Sequence, residues 1–247
     1  MTTRSHLTIL FDNEPGLPGL TNLWGFAALI RLEGRTVLFD TGSNGRVLLK
    51  NMAALQLSPE SVDLLFLSHP HWDHMGGLDS FLECNPEVAV VVHEGFSKHL
   101  IHDLHSLCGE LIVIGAEPRQ LAPGIFSTGM LESQPPEQGM VIDAGSVTSA
   151  ISGCAHPGME RIVERANGLL GRPVDWAIGG FHLMYAEAAE IDRSLRSLQS
   201  LGVAHVVPTH CTGNAAKAAF RRAYGAGFHD GGVGRQFDLV ERTSGMT

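Results

Sequence analysis

Between Ser68 and Gly77 the chain reads SHPHWDHMGG, which places His69, His71, Asp73 and His74 within six positions. An apolar run, Val62 to Ser68 (VDLLFLS), precedes them and reads as a buried strand. The residues that follow, MGGLDSFLEC, read as the start of a helix. The four side chains therefore sit on the turn that leaves a strand end, where an α/β sheet presents its chemistry. In extended backbone alternate residues point the same way, so His69 and His71 can reach one metal ion. Asp73 and His74 arrive as the chain turns into the helix and can face a second point nearby. Imidazole and carboxylate donors suit zinc, and also manganese or iron.

The rest of the chain repeats this arrangement. Ser5 to Asp12 reads as a first strand. Phe26 to Leu32 and Thr36 to Asp40 read as a hairpin turning at Glu33-Gly34. Asp40, at the end of that second strand, reads either as a turn cap or as a carboxylate that orients a metal histidine. Arg46 to Leu57 carries Leu48, Leu49, Met52 and Leu55 at helical spacing. Val88 to Glu94 is a further buried strand, and His93 at its end reads as a structural histidine. His99, His102 and His105 recur at steps of three on one helical face, which reads as solvated rather than metal-binding. Pro118 to Gly145 is the most loop-like stretch, expected to form a lid or an irregular hairpin. Three more apolar runs follow, and they lead into His156, His182 and His210. Histidines at equivalent strand ends of one sheet can converge in space. The recurring strand–helix alternation makes the class α/β, and no linker divides residues 1–247, so one domain is expected.

A net charge of −9 argues against a nucleic-acid or anionic-membrane surface. No apolar run approaches the roughly 20 residues of a membrane span. Cys84, Cys108, Cys154 and Cys211 form no CxxC pair, and with no secretory signal in the first residues they read as reduced thiols of a cytoplasmic protein.

HPHWDH resembles the HxHxDH signature of the metallo-β-lactamase superfamily. The resemblance continues through FDTG at 39–42, GCAHPGM at 153–159, GGFHL at 179–183, PTHCTG at 208–213 and GVG at 232–234. GGFHL with PTHCTG is similar to a narrower subgroup, the dihydropterin–ribofuranosylaminobenzene phosphate synthase-like proteins. The resemblance implies a four-layer αβ/βα sandwich with the site at one edge of two packed sheets. It implies one metal held by His69, His71 and His156, and a second held by Asp73, His74 and His210. Two departures stand out. The aspartate that bridges both metals in most dinuclear members corresponds here to Gly179-Gly180, and the subgroup's Glu-His pair is replaced by Leu23-Trp24. His182 is then expected either to become a ligand or to face substrate.

These features together lead us to expect a metal-dependent hydrolase, or a related transferase or synthase. One or two zinc ions (or Mn2+ or Fe2+) would act on a small anionic substrate such as a phosphate ester or lactone. Asp73 is expected to accept a proton or orient water. Cys211 is expected to be a small packed residue rather than a nucleophile. The rival readings are a di-iron redox protein on the same fold and a non-catalytic metal-binding module. Six ligands with only Asp73 anionic leave an excess of positive charge for two divalent ions, which an anionic substrate would offset.

Overall fold

The computed structural model describes residues 5–239; residues 1–4, the start of the stretch read for a secretory signal, and residues 240–247 lie outside the described part. In chain order the elements are β1 (Ser5–Phe11), β2 (Ala27–Leu32), β3 (Arg35–Phe39), α1 (Gly45–Ala54), β4 (Leu64–Phe66), α2 (Trp72–Met75), α3 (Leu78–Cys84), β5 (Ala89–His93), α4 (Lys98–Leu107) and β6 (Glu110–Ile114). There follow β7 (Arg119–Ala122), β8 (Ile125–Ser127), β9 (Met140–Asp143), β10 (Thr148–Ser152), α5 (Met159–Leu170), β11 (Trp176–Gly180), α6 (Ala188–Ser200), β12 (His205–Thr209), α7 (Asn214–Tyr224) and β13 (Gln236–Leu239).

Two sheets result. One has the order β13-β1-β2-β3-β4-β5-β6, the other β12-β11-β10-β9-β8-β7. Each combines an antiparallel meander with a run of parallel strands: β3 to β6 in the first, β10 to β12 in the second. The parallel strands are apolar on both faces, as strands covered on both sides must be. Strand alternation divides their side chains between layers. Leu64 and Phe66 enter the core between the sheets, with Val91, Ile151, Ile178 and Val207. Leu65, Val90 and Val92 face the other way, onto α1, α3 and α4 through Leu48, Met52, Phe81 and Leu104. On the far side Ala177 and Val206 pack under Ile162 and Val163 of α5, Leu198 of α6 and Phe220 of α7. The layers run helix, sheet, sheet, helix, the four-layer sandwich expected. Truncating a central anchor such as Phe66 to Ala would cost about 3–5 kcal/mol.

Pro118 to Gly145 forms the irregular hairpin, not the lid: β7 and β8 pair antiparallel with a register shift between Gln120 and Ala122, and with β9 they make half of the second sheet. Its connecting stretch is fastened to the first sheet. Gln138 donates from Nε2 to Leu67 O (2.9 Å) and from its backbone to Ser68 O (3.0 Å), and Glu137 beside it is fully buried. Its prolines and glycines mark the turns and not the strands. The strand β13, which pairs antiparallel with β1, was not foreseen. Its four residues, QFDL, offer too short an alternation to stand out. Among the described residues no helix is long and apolar enough to cross a membrane.

Candidate metal centre

Every candidate residue sits just beyond the C-terminal end of a parallel strand. Asp40 follows β3, His69 to His74 follow β4, and Cys154 and His156 follow β10. His182 follows β11, and His210 follows β12. Asp40, Ala155, His182 and His210 adopt left-handed backbone, with φ of 55, 57, 53 and 49°. Such conformations are costly for non-glycine residues and persist where surrounding structure imposes them, often at functional sites.

The imidazoles form a continuous chain of rings. His210 lies 5.0 Å from His74, His74 4.2 Å from His69, and His69 4.8 Å from both His71 and His156, while His182 lies 4.4 Å from His156. Two groups of donor atoms, each drawn together within 4.8 Å, are His69/His71/His156 and Asp73/His74/His210. These two groups have the same members as the sets implied by the resemblance, and three further groups of donor atoms, all through Cys154, overlap them. His99, His102 and His105 of α4 are exposed to solvent and belong to no such group among the described residues. His93 is buried, and its Nδ1 accepts from the Gly95 N–H (3.1 Å).

Hydrogen bonds fix which nitrogen each ring presents. His74 donates from Nδ1 to Asp40 Oδ2 (2.7 Å). The other Asp40 oxygen accepts from the Ser68 N–H (2.8 Å), and the Ser68 hydroxyl donates to Oδ2 (2.7 Å). With that hydrogen spent, Ser68 Oγ accepts from His69 Nδ1 (2.9 Å). His210 donates from Nδ1 to Asn13 Oδ1 (2.8 Å). All three rings therefore turn Nε2 inward as a lone-pair donor. His69 Nε2 and His210 Nε2 are buried without a hydrogen-bond partner, as is His93 Nε2 outside the cluster, and His210 Nε2 faces Asp73 Oδ2 at 3.4 Å. A buried polar atom left unpartnered costs about 1–3 kcal/mol. A divalent cation is the partner this donor set fits.

Electrostatics separate the rings: burial would lower His210, but Asp73 and Cys211 beside it raise it above the ordinary histidine value. Burial, reinforced by the neighbouring imidazoles, holds His69 and His74 well below the ordinary histidine value, so both are neutral and able to ligate. Burial opposes ionisation of Asp73, but His210, whose Nε2 lies 3.4 Å from Asp73 Oδ2, and the nearby His74 outweigh it, and the carboxyl titrates below its usual range. Burial pushes Asp40 well up, against the stabilising bonds from Ser68. His156 is lowered to about 4 by burial and by His182 and His71 beside it.

Three contributors escaped the sequence reading. Glu137 Oε1 accepts the N–H groups of Gly153, Cys154 and Ala155 (2.9, 3.0 and 3.0 Å), and its Oε2 accepts that of His156 (2.8 Å). One buried carboxylate thus shapes the whole His156 turn, from a position with no local signal. Cys154 reaches inward, with Sγ 3.2 Å from His74 Nε2. Its place two residues before His156 was the available hint. Asn13 acts across 197 residues of sequence. Gly153 is required by close approach, since a Cβ there would lie 2.2 Å from Ser68 Oγ and 2.9 Å from Asp40 Oδ2. His182 is exposed at the mouth. With Trp24, Tyr185, Glu190 and Cys211 it lines a cleft of about 230 Å³, and with His156, Glu160 and Arg193 a second of about 240 Å³.

Fold and site together define a two-sheet α/β protein with clustered metal-ligand-type side chains at one sheet edge, and comparison with known proteins names its family. Residues 25–210 match the profile of the metallo-beta-lactamase superfamily, and the chain belongs to that superfamily. It is 29% identical to the 7,8-dihydropterin-6-methyl-4-(beta-D-ribofuranosyl)-aminobenzene-5'-phosphate synthase of Methanocaldococcus jannaschii, over 81% of this chain and 84% of that protein. Among solved structures it superposes on Tm1679, described as a metal-dependent hydrolase of the beta-lactamase superfamily, with a TM-score of 0.79 and 24% identity, covering 96% of this chain and 100% of the other. The metallo-beta-lactamase fold protein YhfI from Bacillus subtilis superposes with a TM-score of 0.71 at 15% identity, over 95% and 99% of the two chains.

Proposed function

We propose that the chain is a metal-dependent enzyme that hydrolyses, or transfers a group from, a small anionic substrate such as a phosphate ester or lactone. The observation that carries this reading is the pair of donor groups, His69/His71/His156 and Asp73/His74/His210, each with its ligand-type atoms within 4.8 Å of one another. Zinc, manganese or iron bound there would acidify water and polarise a carbonyl or phosphoryl oxygen.

The chain's own residues supply the rest. Asp73, ionised and beside His210 (3.4 Å), orients water through a hydrogen bond accepted by its carboxylate. His182, exposed at the mouth and lining both clefts, is assigned to substrate, although its ring also joins Cys154 and His156 in one set of donors within 4.8 Å. Trp24, 5.0 Å from His210, and Tyr185, 94% exposed, offer aromatic faces to a ring-bearing substrate. Arg193 gives the second cleft a cation for an anionic group, tempered by Glu160 and Glu190 on the same wall. The likeness to a synthase whose name carries a ribofuranosyl phosphate supports a phosphorylated substrate and keeps group transfer beside hydrolysis. A compact, partly enclosed cleft and the acidic chain favour a small molecule over nucleic acid.

The test is a screen of zinc-, manganese- and iron-loaded protein against phosphate mono- and diesters and lactones, beside Asp73→Asn. Metal-dependent turnover that falls at least a hundredfold in the variant is expected. Equal turnover in Asp73→Asn, or none with any metal, would overturn the reading.

A further inference from the structure

We propose that Cys154 is a metal ligand whose thiolate sulfur stands between the two donor groups and serves both. The inference rests on the metal-centre reading above and adds a ligand to it.

Position comes first. Cys154 joins His69 and His74 in one set of donors within 4.8 Å, His156 and His182 in another, and His210 and Cys211 in a third. No other side chain among the described residues enters three such sets. The partners come from both donor groups: His69 and His156 from one, His74 and His210 from the other. Neighbouring ligands on a single tetrahedral zinc stand about 3.5 Å apart, given zinc–sulfur and zinc–nitrogen bonds of about 2.3 and 2.0 Å. The 3.2 Å separation of Cys154 Sγ from His74 Nε2 is of that size.

The sulfur is also held in place. Cys154 is 4% exposed, and its backbone N–H is fixed by Glu137 within the turn that carries His156. The neighbouring strand end leaves room for it. A Cβ added to Gly180 would lie 3.1 Å from Cys154 Cα and 2.6 Å from Cys211 Sγ, so this packing admits the sulfurs and excludes a side chain on Gly180. Cys211 Sγ lies 3.5 Å from Cys154 O and on the wall of the outer cleft with His182, which places it beside the centre and leaves Cys154 as the inner sulfur.

Charge supplies the reason. The two donor groups offer one carboxylate, Asp73, while the buried Asp40 and Glu137 are spent on hydrogen bonds. A thiolate between the groups adds a second anion where two cations repel each other most. On metal binding the S–H proton passes to solvent and the sulfur lone pair forms the bond, so binding releases one proton from this residue. Sulfur in the donor set selects zinc, iron or cobalt over magnesium and calcium.

The test loads reduced, full-length apoprotein with Co2+ and reads the near-ultraviolet sulfur-to-cobalt charge-transfer band. The band is expected in the native chain, absent in Cys154→Ser, and kept in the Cys84→Ser/Cys108→Ser/Cys211→Ser variant, in which Cys154 is the sole thiol. Cobalt bound by the native chain without the band would overturn the proposal. Loss of the band from the triple variant would do the same, and that result does not depend on whether Cys154→Ser folds. A native chain that binds no cobalt would instead overturn the metal-centre reading itself, and this inference with it.

Discussion

The two donor groups share one cleft but are built differently. His74 and His210 are braced from behind by side chains, Asp40 and Asn13, at 2.7 and 2.8 Å, and both are essentially buried. In the other group only His69 has such a brace, Ser68, while His71 and His156 are half-buried and meet each other, Nδ1 to Nε2, at 3.3 Å. His156 is positioned through its backbone, by Glu137. One group is set by side-chain hydrogen bonds, the other by the shape of a turn. The first arrangement locks ring orientation before a ligand arrives. The second leaves two rings free to adjust and open to water, where substrate must enter.

That contrast can be broken most severely at Glu137. Glu137→Ala leaves four buried N–H groups without an acceptor, and we expect a loss of about 3–5 kcal/mol in urea unfolding, with weakened binding of the metal that His156 serves. A change below about 1 kcal/mol would mean the turn holds its shape without the carboxylate.

His93 separates burial from metal binding, being a buried histidine in neither group. Burial lowers it to about 4 from an ordinary 6.5. Between those values the unfolded chain binds more protons than the folded one, so stability is full above about pH 6.5 and falls as pH drops toward 4. His93→Asn should remove about 2–3 kcal/mol of that acid sensitivity, read as a flatter stability profile between pH 4 and 6.5 in metal-free protein. An unchanged profile would place the acid sensitivity elsewhere.

The braces themselves come next. Asp40→Asn should weaken the metal that His74 serves by roughly 10–100-fold in chelator competition and the metal that His69 serves by less, since Asp40 bonds His74 directly and His69 only through Ser68. Asn13→Ala removes the neutral brace on His210 and should cost nearer tenfold, the low end of that range. If the two variants weaken both metals equally, the groups do not act as separate sites.

How much of this the chain declared in advance follows from the distance over which each signal acts. The HxHxDH turn is local: four side chains, one strand end and one helix start, all within ten residues, so its chemistry is readable from spacing. The apolar strands Leu64–Phe66 and Trp176–Gly180 are equally local in origin, and so was the α/β alternation. His156, His182 and His210 were visible as strand-end histidines, but only the family resemblance could assign them to groups, because their convergence depends on how two sheets pack. Glu137, in a stretch of prolines and glycines, gave no periodic signal, and its acceptor role is created by a turn 16 to 19 residues later. In Pro118 to Gly145 the irregular hairpin was legible but the third strand, β9, was not, because composition registers turns more strongly than the short strands between them. Cys154 was within a quoted motif, yet a lone thiol has no meaning until its neighbours are known.

Elemental analysis of protein purified without added metal, beside His156→Ala, reads whether the two donor groups hold two divalent ions. We expect close to two zinc, manganese or iron ions per chain, and about one in the variant, with the remaining ion held by Asp73, His74 and His210. No bound metal in the native chain, or an equal content in both proteins, would contradict the account.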